Sequence, residues 1–209
     1  MKNYAIKEIF YSIQGEGFHS GRPAIFVRFS SCNFWSGREE HRKNAICNFC
    51  DTDFIGINGQ NGGVYSGDTL IDKLLMLSES CKFVVLTGGE PLLQVKFELI
   101  QTLKDNGYYV AVETNGSIIP PPNIDWICCS PKSRSRQKLE HAHELKVVYP
   151  ALDPDLVSKY ITADHYYIQP LDSKDESKNK QYMKESIEYC KARPTWKLSL
   201  QTQKIMNID

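Results

Sequence analysis

The chain has no surplus of charge of either sign: Lys and Arg number 25, and Asp and Glu number 25. Without a basic excess it carries no electrostatic footprint for nucleic acid or an anionic membrane surface, and neither is expected as a partner. It has no long apolar run, falling well short of the roughly 20 apolar residues that a membrane-spanning helix needs. Nor does it open on a basic stretch followed by an apolar one. Met1-Lys2-Asn3-Tyr4 leads straight into a strand-like segment, and no secretory signal peptide is expected. Its 7 cysteines cannot all pair, which in an unexported chain speaks against a disulfide framework and for thiols kept reduced. Together these absences describe a soluble cytoplasmic protein. A hydrophobic fraction of 41% over 209 residues supplies the core for one domain, expected to run from 1 to 209.

What is present is concentrated in one loop, at about residues 30–54. It holds Cys32, Cys47 and Cys50, with 14 residues between the first two and 2 between the last two. The Cys47-Asn48-Phe49-Cys50 turn places two thiolates close enough to hold one metal or cluster. Cys32 must reach them across a polar excursion, residues 37–44. Three cysteines without an obvious fourth suggest an iron–sulfur cluster with one open coordination position, because such clusters are usually held by four. Two other readings stay open on the cysteines alone. His41 could complete a Cys3His zinc site, and a Cys-x-x-Cys pair can be a redox couple.

Residues 4–13 mix β-branched and aromatic side chains and predict a strand. The double-glycine turn Gln14-Gly15-Glu16-Gly17 follows, where backbone can approach a ligand closely. Residues 24–29 predict a second strand. Its Arg28 interrupts an apolar run, either as a surface residue or as a bidentate partner for a carboxylate. Residues 56–67, rich in Gly and Asn, carry no clear structural signal. Thereafter helices and strands alternate. Helices are predicted from a cap at Asp68 through Leu77, over 92–104 with Leu93, Phe97, Ile100 and Leu103 on one side, over 153–160 and over 178–192. Strands are predicted over 83–86, 109–112, 126–129, 145–148, 166–168 and 196–200. Cys81, Cys128, Cys129 and Cys190 fall in or beside these elements and read as small buried hydrophobes.

Such alternation implies a mostly parallel sheet with right-handed crossovers. After five of the strands come polar turns: Thr87-Gly88-Gly89-Glu90-Pro91, Glu113-Thr114-Asn115-Gly116, Ser130-Pro131-Lys132, Gln169-Pro170-Leu171-Asp172 and Gln201-Thr202-Gln203-Lys204. Any one of them could be ordinary turn chemistry. Five in succession at the carboxyl ends of strands mark the place where parallel α/β enzymes build their sites. An eight-unit barrel needs about 250 residues, so this chain has room for about six units. The expected fold is therefore α/β, an incomplete TIM-like barrel of about six parallel strands with outer helices.

With a three-cysteine loop after an early strand and the Gly88-Gly89-Glu90 turn after a later one, the chain resembles the radical S-adenosylmethionine (SAM) enzymes. In those enzymes the corresponding turn contacts the methionine end of SAM. Within them it is similar to the 7-carboxy-7-deazaguanine synthase family, lyases of 7-deazapurine (queuosine) biosynthesis. The likeness rests on residues 11–17 (Tyr-Ser-Ile-Gln-Gly-Glu-Gly), Arg28-Phe29, Cys50-Asp51-Thr52, Glu113-Thr114-Asn115-Gly116, Ser130-Pro131-Lys132 and the closing Gln201-Thr202-x-Lys204. It covers nearly the whole chain. The long insert between Cys32 and Cys47 matches one subgroup of that family.

The resemblance implies a single radical SAM domain with a [4Fe–4S] cluster on Cys32, Cys47 and Cys50, SAM chelating the remaining iron. It implies a 5′-deoxyadenosyl radical that takes hydrogen from 6-carboxy-5,6,7,8-tetrahydropterin. Ring contraction and loss of ammonia then leave 7-carboxy-7-deazaguanine. SAM contacts would come from Phe49, Gly88, Gly89, Glu90, Glu113, Ser130, Lys132, Gln169 and Asp172. Substrate contacts would come from Ile13, Gln14, Gly15, Glu16, Arg28, Thr87 and Gln203. Thr52 would offer an oxygen to Mg2+, although it could equally cap the segment after the cluster. Glu113 could instead partner a nearby cation. An external electron donor such as flavodoxin and a homodimer are further expectations. The family commonly carries His where this chain has Gln203, and Gln exchanges hydrogen bonds but carries no proton. Two rivals remain: an activating enzyme that draws hydrogen from a glycine of a partner protein, and a zinc module on Cys32, His41, Cys47 and Cys50.

Overall fold

The computed structural model describes residues 2–208; the expected domain limits, Met1 and Asp209, lie outside the described residues. In chain order the strands are β1 (Tyr4–Ile13), β2 (Pro23–Phe29), β3 (Gly63–Tyr65), β4 (Phe83–Gly88), β5 (Tyr109–Thr114), β6 (Trp126–Cys129), β7 (His141–Tyr149), β8 (Thr162–Pro170) and β9 (Trp196–Leu198). The α-helices are α1 (Gly67–Leu77), α2 (Phe97–Asp105), α3 (Pro154–Val157), α4 (Glu176–Ala192) and α5 (Thr202–Met206). Among the described residues the strands form one sheet in the order β3-β1-β2-β4-β5-β6-β7-β8-β9. β1 runs antiparallel to both its neighbours, and every pair from β2 to β9 is parallel. The sheet is thus mostly parallel, as the alternation implied.

Two apolar cores flank it. One joins β1, β2, β4 and β5 to α1 and α2 through residues such as Ile25, Leu74, Leu86 and Ile100. The other gathers Leu145, Val157, Ile161, Ile168 and Trp196 around β7, β8, α3 and β9. Cys81, Cys128 and Cys129 are buried, and Cys190 is half-buried against the second core.

Local chemistry shifts several boundaries. α1 is capped by Ser66, not Asp68, because Thr69 returns the hydrogen bond and completes a capping box. The helix expected over 92–104 is broken. Pro91–Leu93 form a 3-10 turn, and Gln94 spends its side chain on Ala5 N and O and on Ser30 O, at 2.7, 3.1 and 3.0 Å. α2 then starts at Phe97, burying Leu99, Ile100 and Leu103, while Leu93 and Phe97 stay exposed. β3, in the stretch without clear signal, pairs with the start of β1. The outer layer is thinner than alternation suggested. Among the described residues no α-helix separates β5 from β6 or β6 from β7. Pro120-Pro121-Pro122 lies in the first of these links, where missing backbone N–H groups disfavour a helix.

The turn after β1 reaches across to the far strands and the chain end. Gly15 O accepts from Thr202 N at 3.1 Å and Thr202 Oγ1 at 2.8 Å. Gly17 N donates to Ser199 Oγ at 3.0 Å, and Phe18 N to Glu144 Oε2 at 3.2 Å. Gly17 has φ +65°, and a Cβ there would lie 1.9 Å from Glu144 Oε1. That meeting of β1's end with β7 and β9 makes the sheet an incomplete barrel with a bridged opening.

Candidate active site

One cavity of about 380 Å3 is bounded by the ends of β4, β5 and β8, the turn after β1, the cysteine loop and α5. Every site residue expected from the sequence lines it, except Glu90.

The cysteine loop forms one wall. Cys47 is buried and Cys32 and Cys50 are partly buried. Cys32 Sγ accepts from Phe34 N at 3.5 Å, and burial pushes its thiol above the usual range. Cys47 and Cys50 share a hydrogen bond. It lowers Cys50 to about 6, with help from Thr52 N–H and Lys132, and raises Cys47. The polar excursion folds over this turn as a 3-10 segment, Glu39–Asn44. Arg42 holds it down: its guanidinium lies 4.0 Å from the Trp35 ring centroid and donates to Asn48 O at 3.1 Å and Cys50 O at 2.9 Å. His41 faces away, 2.8 Å from Ser36 Oγ and 3.6 Å from Glu40. Among the described residues no three His, Cys, Asp or Glu side chains converge on a point for a single metal ion. With His41 turned to Ser36 and Glu40, a fourth ligand for a Cys3His zinc site is not at the three thiols.

The Gly88-Gly89-Glu90 turn is fastened to this loop. Gly89 N donates to Phe29 O at 3.2 Å, and Glu90 N to Ser31 O at 2.9 Å. A Cβ on Gly89 would lie 2.0 Å from Ser31 O, so backbone meets backbone with no room for a side chain. Glu90 points inward, away from the cavity, and is fully buried. Its carboxylate accepts from Leu92 N at 3.1 Å, Asn115 N at 2.8 Å, and Thr114 Oγ1 at 2.9 and 3.0 Å. Burial raises its carboxyl against these donors. Asn115 continues the link, donating to Asn33 Oδ1 at 3.0 Å beside Cys32.

The remaining walls carry charge. Arg28 Nε donates to Glu8 Oε1 at 2.7 Å, which fixes the guanidinium at the cavity edge. Glu113 accepts from Gln14 Nε2 at 3.1 Å and Thr87 Oγ1 at 2.9 Å, tying the turn after β1 to β4 and β5. Lys132 Nζ donates to Ser130 Oγ at 2.8 Å and stands 5.4 Å from the Phe49 ring centroid. Glu16 accepts from three side chains, Lys146, Gln201 Nε2 at 3.0 Å and Gln203 Nε2 at 3.1 Å. Burial works to raise its carboxyl, but Lys146 and the two amides bring it down to about 2. At the outer rim Lys204 Nζ donates to Asp51 Oδ2 at 2.8 Å and Asp172 Oδ2 at 2.9 Å, clasping α5 to the cysteine loop and the end of β8.

Sequence reasoning missed Lys146, Glu8, Asp51 and Lys204 as lining groups. The signal for Lys146 was there: it breaks an apolar strand, Leu145-Lys146-Val147-Val148, as Arg28 breaks its own.

A mostly parallel partial barrel, with three cysteine thiols and a glycine turn facing a polar cavity at its strand ends, defines an enzyme of the radical SAM class. No family model matches the chain. It is 46% identical over 211 residues to a 7-carboxy-7-deazaguanine synthase of Burkholderia multivorans, covering 98% of this chain and 99% of that protein. It is 45% identical over 212 residues to the protein of that name from Bradyrhizobium diazoefficiens, covering 99% of each. Its fold matches the crystal structure of QueE from Escherichia coli with a TM-score of 0.72 at 25% identity, over 95% of this chain and 93% of that one. The chain belongs to the 7-carboxy-7-deazaguanine synthase family.

Proposed function

We propose that the protein converts 6-carboxy-5,6,7,8-tetrahydropterin to 7-carboxy-7-deazaguanine and ammonia, in 7-deazapurine biosynthesis, using a [4Fe–4S] cluster, SAM and Mg2+. The observation that carries this reading is the joining of the cysteine loop to the Gly88-Gly89 turn at one wall of a cavity that Arg28, beside that turn, and Glu16 also line. When bound, the cluster and SAM supply a carbon-centred radical able to take a hydrogen atom from the substrate.

The chain's own residues do the rest. Cys32, Cys47 and Cys50 would hold the cluster. The Gly88-Gly89 backbone, Ser130, Lys132, Phe49, Gln169 and Asp172 would seat SAM beside it, with Glu113 between SAM and substrate. Glu90 works one step back: by binding Asn115 N and Thr114 Oγ1 it sets the ends of β4 and β5 against each other. Arg28, already oriented by Glu8, would pair the substrate carboxylate. Ile13, Gln14, Gly15, Glu16, Thr87 and Gln203 would read the pterin edge, and Thr52 would offer an oxygen to Mg2+. α5 and the Lys204 clasp narrow the rim, which suits a small molecule better than the polypeptide of an activating enzyme. Radical generation needs a low-potential electron, so an external donor such as flavodoxin is part of the proposal, as is a homodimer. Among the described residues no helix is long and apolar enough to cross a membrane.

The test is anaerobic reconstitution with iron and sulfide, then incubation with SAM, dithionite, Mg2+ and the tetrahydropterin, with products followed by mass spectrometry. The expected product is 7-carboxy-7-deazaguanine. A brown protein that cleaves SAM without converting the pterin would overturn the substrate assignment. A colourless protein holding stoichiometric zinc would overturn the whole reading.

A further inference from the structure

Below the main cavity lies a smaller chamber of about 10 Å3, sharing Gln14, Glu16, Glu113 and Cys128 with it and adding His19 and Glu144. That volume is about what one water requires. Strand register explains the grouping. Glu113 of β5 is level with Cys128 of β6, and Cys128 with Glu144 of β7. With strands about 4.8 Å apart, two carboxyls therefore face the interior in one row, separated by a single strand. Lys146, two residues beyond Glu144, shares that face and is committed to Glu16.

The polar atoms around the chamber are unevenly satisfied. Glu144 Oε2 accepts from Phe18 N and Trp126 Nε1, both at 3.2 Å, while among the described residues no donor reaches Oε1. His19 Nδ1 faces Arg22 Nη1 at 3.5 Å. Arginine can only donate, so Nδ1 is the acceptor and Nε2 carries the hydrogen. Nε2 is buried without a partner. One water could take the His19 N–H and reach both carboxyls.

We propose that Glu144 stores a proton beneath the cavity and passes it, through one water in the lower chamber, to Glu113 at the cavity wall. The transfer balances within the row: Glu144 becomes a carboxylate as Glu113 becomes an acid, and the reverse restores the resting state. It rests on the reaction proposed above. That conversion is redox-neutral overall, so hydrogens carried off in ammonia must be matched by protons lost from the substrate within the same turnover. A buried acid–water–carboxylate row lets those protons move between groups of the protein.

The electrostatics agree. The groups facing Glu144 are Lys146 on its own strand, Glu113 from β5, Trp126 and Cys128 from β6, and Tyr167 from β8. Burial dominates and raises its carboxyl, with Lys146 opposing. Burial, then Arg22, brings His19 down to about 4, which keeps it a neutral donor.

The test is Glu144→Gln in the reconstituted holoenzyme. Glutamine keeps a carbonyl for Phe18 N and Trp126 Nε1 and cannot store a proton, so the fold is expected to survive. Wild type should show a carboxylic-acid C=O stretch in the infrared at neutral pH that shifts in D2O and is missing from the variant. Turnover to product should fall roughly 10²-fold, the size of a lost proton-transfer group. KM for the pterin should change little, and SAM cleavage should persist uncoupled. Glu144→Asp, which draws the carboxyl back by one methylene, should keep a displaced band and an intermediate rate. A variant as fast as wild type, or no Glu144-dependent band, overturns the proton store. The band is read without substrate, so a wild-type enzyme that shows it but makes no deazaguanine would fail the reaction, not the store.

Discussion

Removing the ammonium of Lys146 while keeping its bulk, by Lys146→Met, isolates the interaction on which the turn after β1 depends. The Lys146 and Glu16 side chains are 6% and 15% exposed. Breaking a buried pair by deleting one partner costs about 3–5 kcal/mol, because the other charge is left uncompensated. Glu16 Oε1 would still accept from Gln201 and Gln203, so the lower end, about 3 kcal/mol, is expected. For a chain of this length that is a fall of about 6–12 °C in Tm. The pH dependence follows from Glu16. Its native pKa, about 2, lies below the ordinary 4.5, so its stabilisation is complete above 4.5 and is lost as pH falls from there toward 2. In Lys146→Met burial acts with less opposition, Glu16 takes up its proton at higher pH, and the gap to wild type should close on acidification. Urea unfolding of the cluster-free protein, at neutral pH and near 4.5, measures both effects. The double variant Glu16→Gln/Lys146→Met should recover most of the loss. A coupling below about 0.5 kcal/mol, or a gap that does not change with pH, would refute the argument.

Two further outcomes test the cysteine wall. Gly89→Ala places a Cβ 2.0 Å from Ser31 O, and the overlap, worth about 1–3 kcal/mol, should displace the loop at Cys32; iron and sulfide content after reconstitution should drop, and full loading would contradict the close packing. Arg42→Ala removes the donors to Asn48 O and Cys50 O and should speed iron loss to a chelator several-fold, whereas His41→Ala, a change on the solvent side, should leave iron and sulfide content unaltered.

Much of this was legible because it is periodic or punctuated. The parallel strands announced themselves as short apolar runs, and the polar turns after them fell around one cavity because parallel strands deliver their carboxyl ends to the same side. What escaped had its cause elsewhere in the chain. The helix predicted over 92–104 is broken by Gln94, whose partners are Ala5 and Ser30, and no local pattern records a hydrogen bond to strands so distant in sequence. The resemblance put Glu90, at the end of the Gly-Gly turn, among the SAM contacts. Its direction was decided by Thr114 and Asn115, one strand over. The polar insert read only as an excursion between Cys32 and Cys47, yet Arg42 makes it a strap over the Cys-x-x-Cys turn.

Gln203 shows how composition and geometry divide the information. The exchange of the family's usual His for Gln can be read from the chain, but not its consequence. Glu16 is ionised and can only accept, so the amide must turn Nε2 toward it, and Oε1 is thereby aimed the other way. There it packs against Gly15, whose Cβ would sit 1.9 Å away, and is buried without a partner. An imidazole bonded to Glu16 through one nitrogen could present the other as acceptor or, once protonated, as donor, and so change its offer with pH. The amide's Oε1 is an acceptor and its Nε2 a donor at any pH, with no exchange between the two. Residue 203 therefore contributes a fixed polarity to the cavity, and the glycine at 15 is what leaves it room.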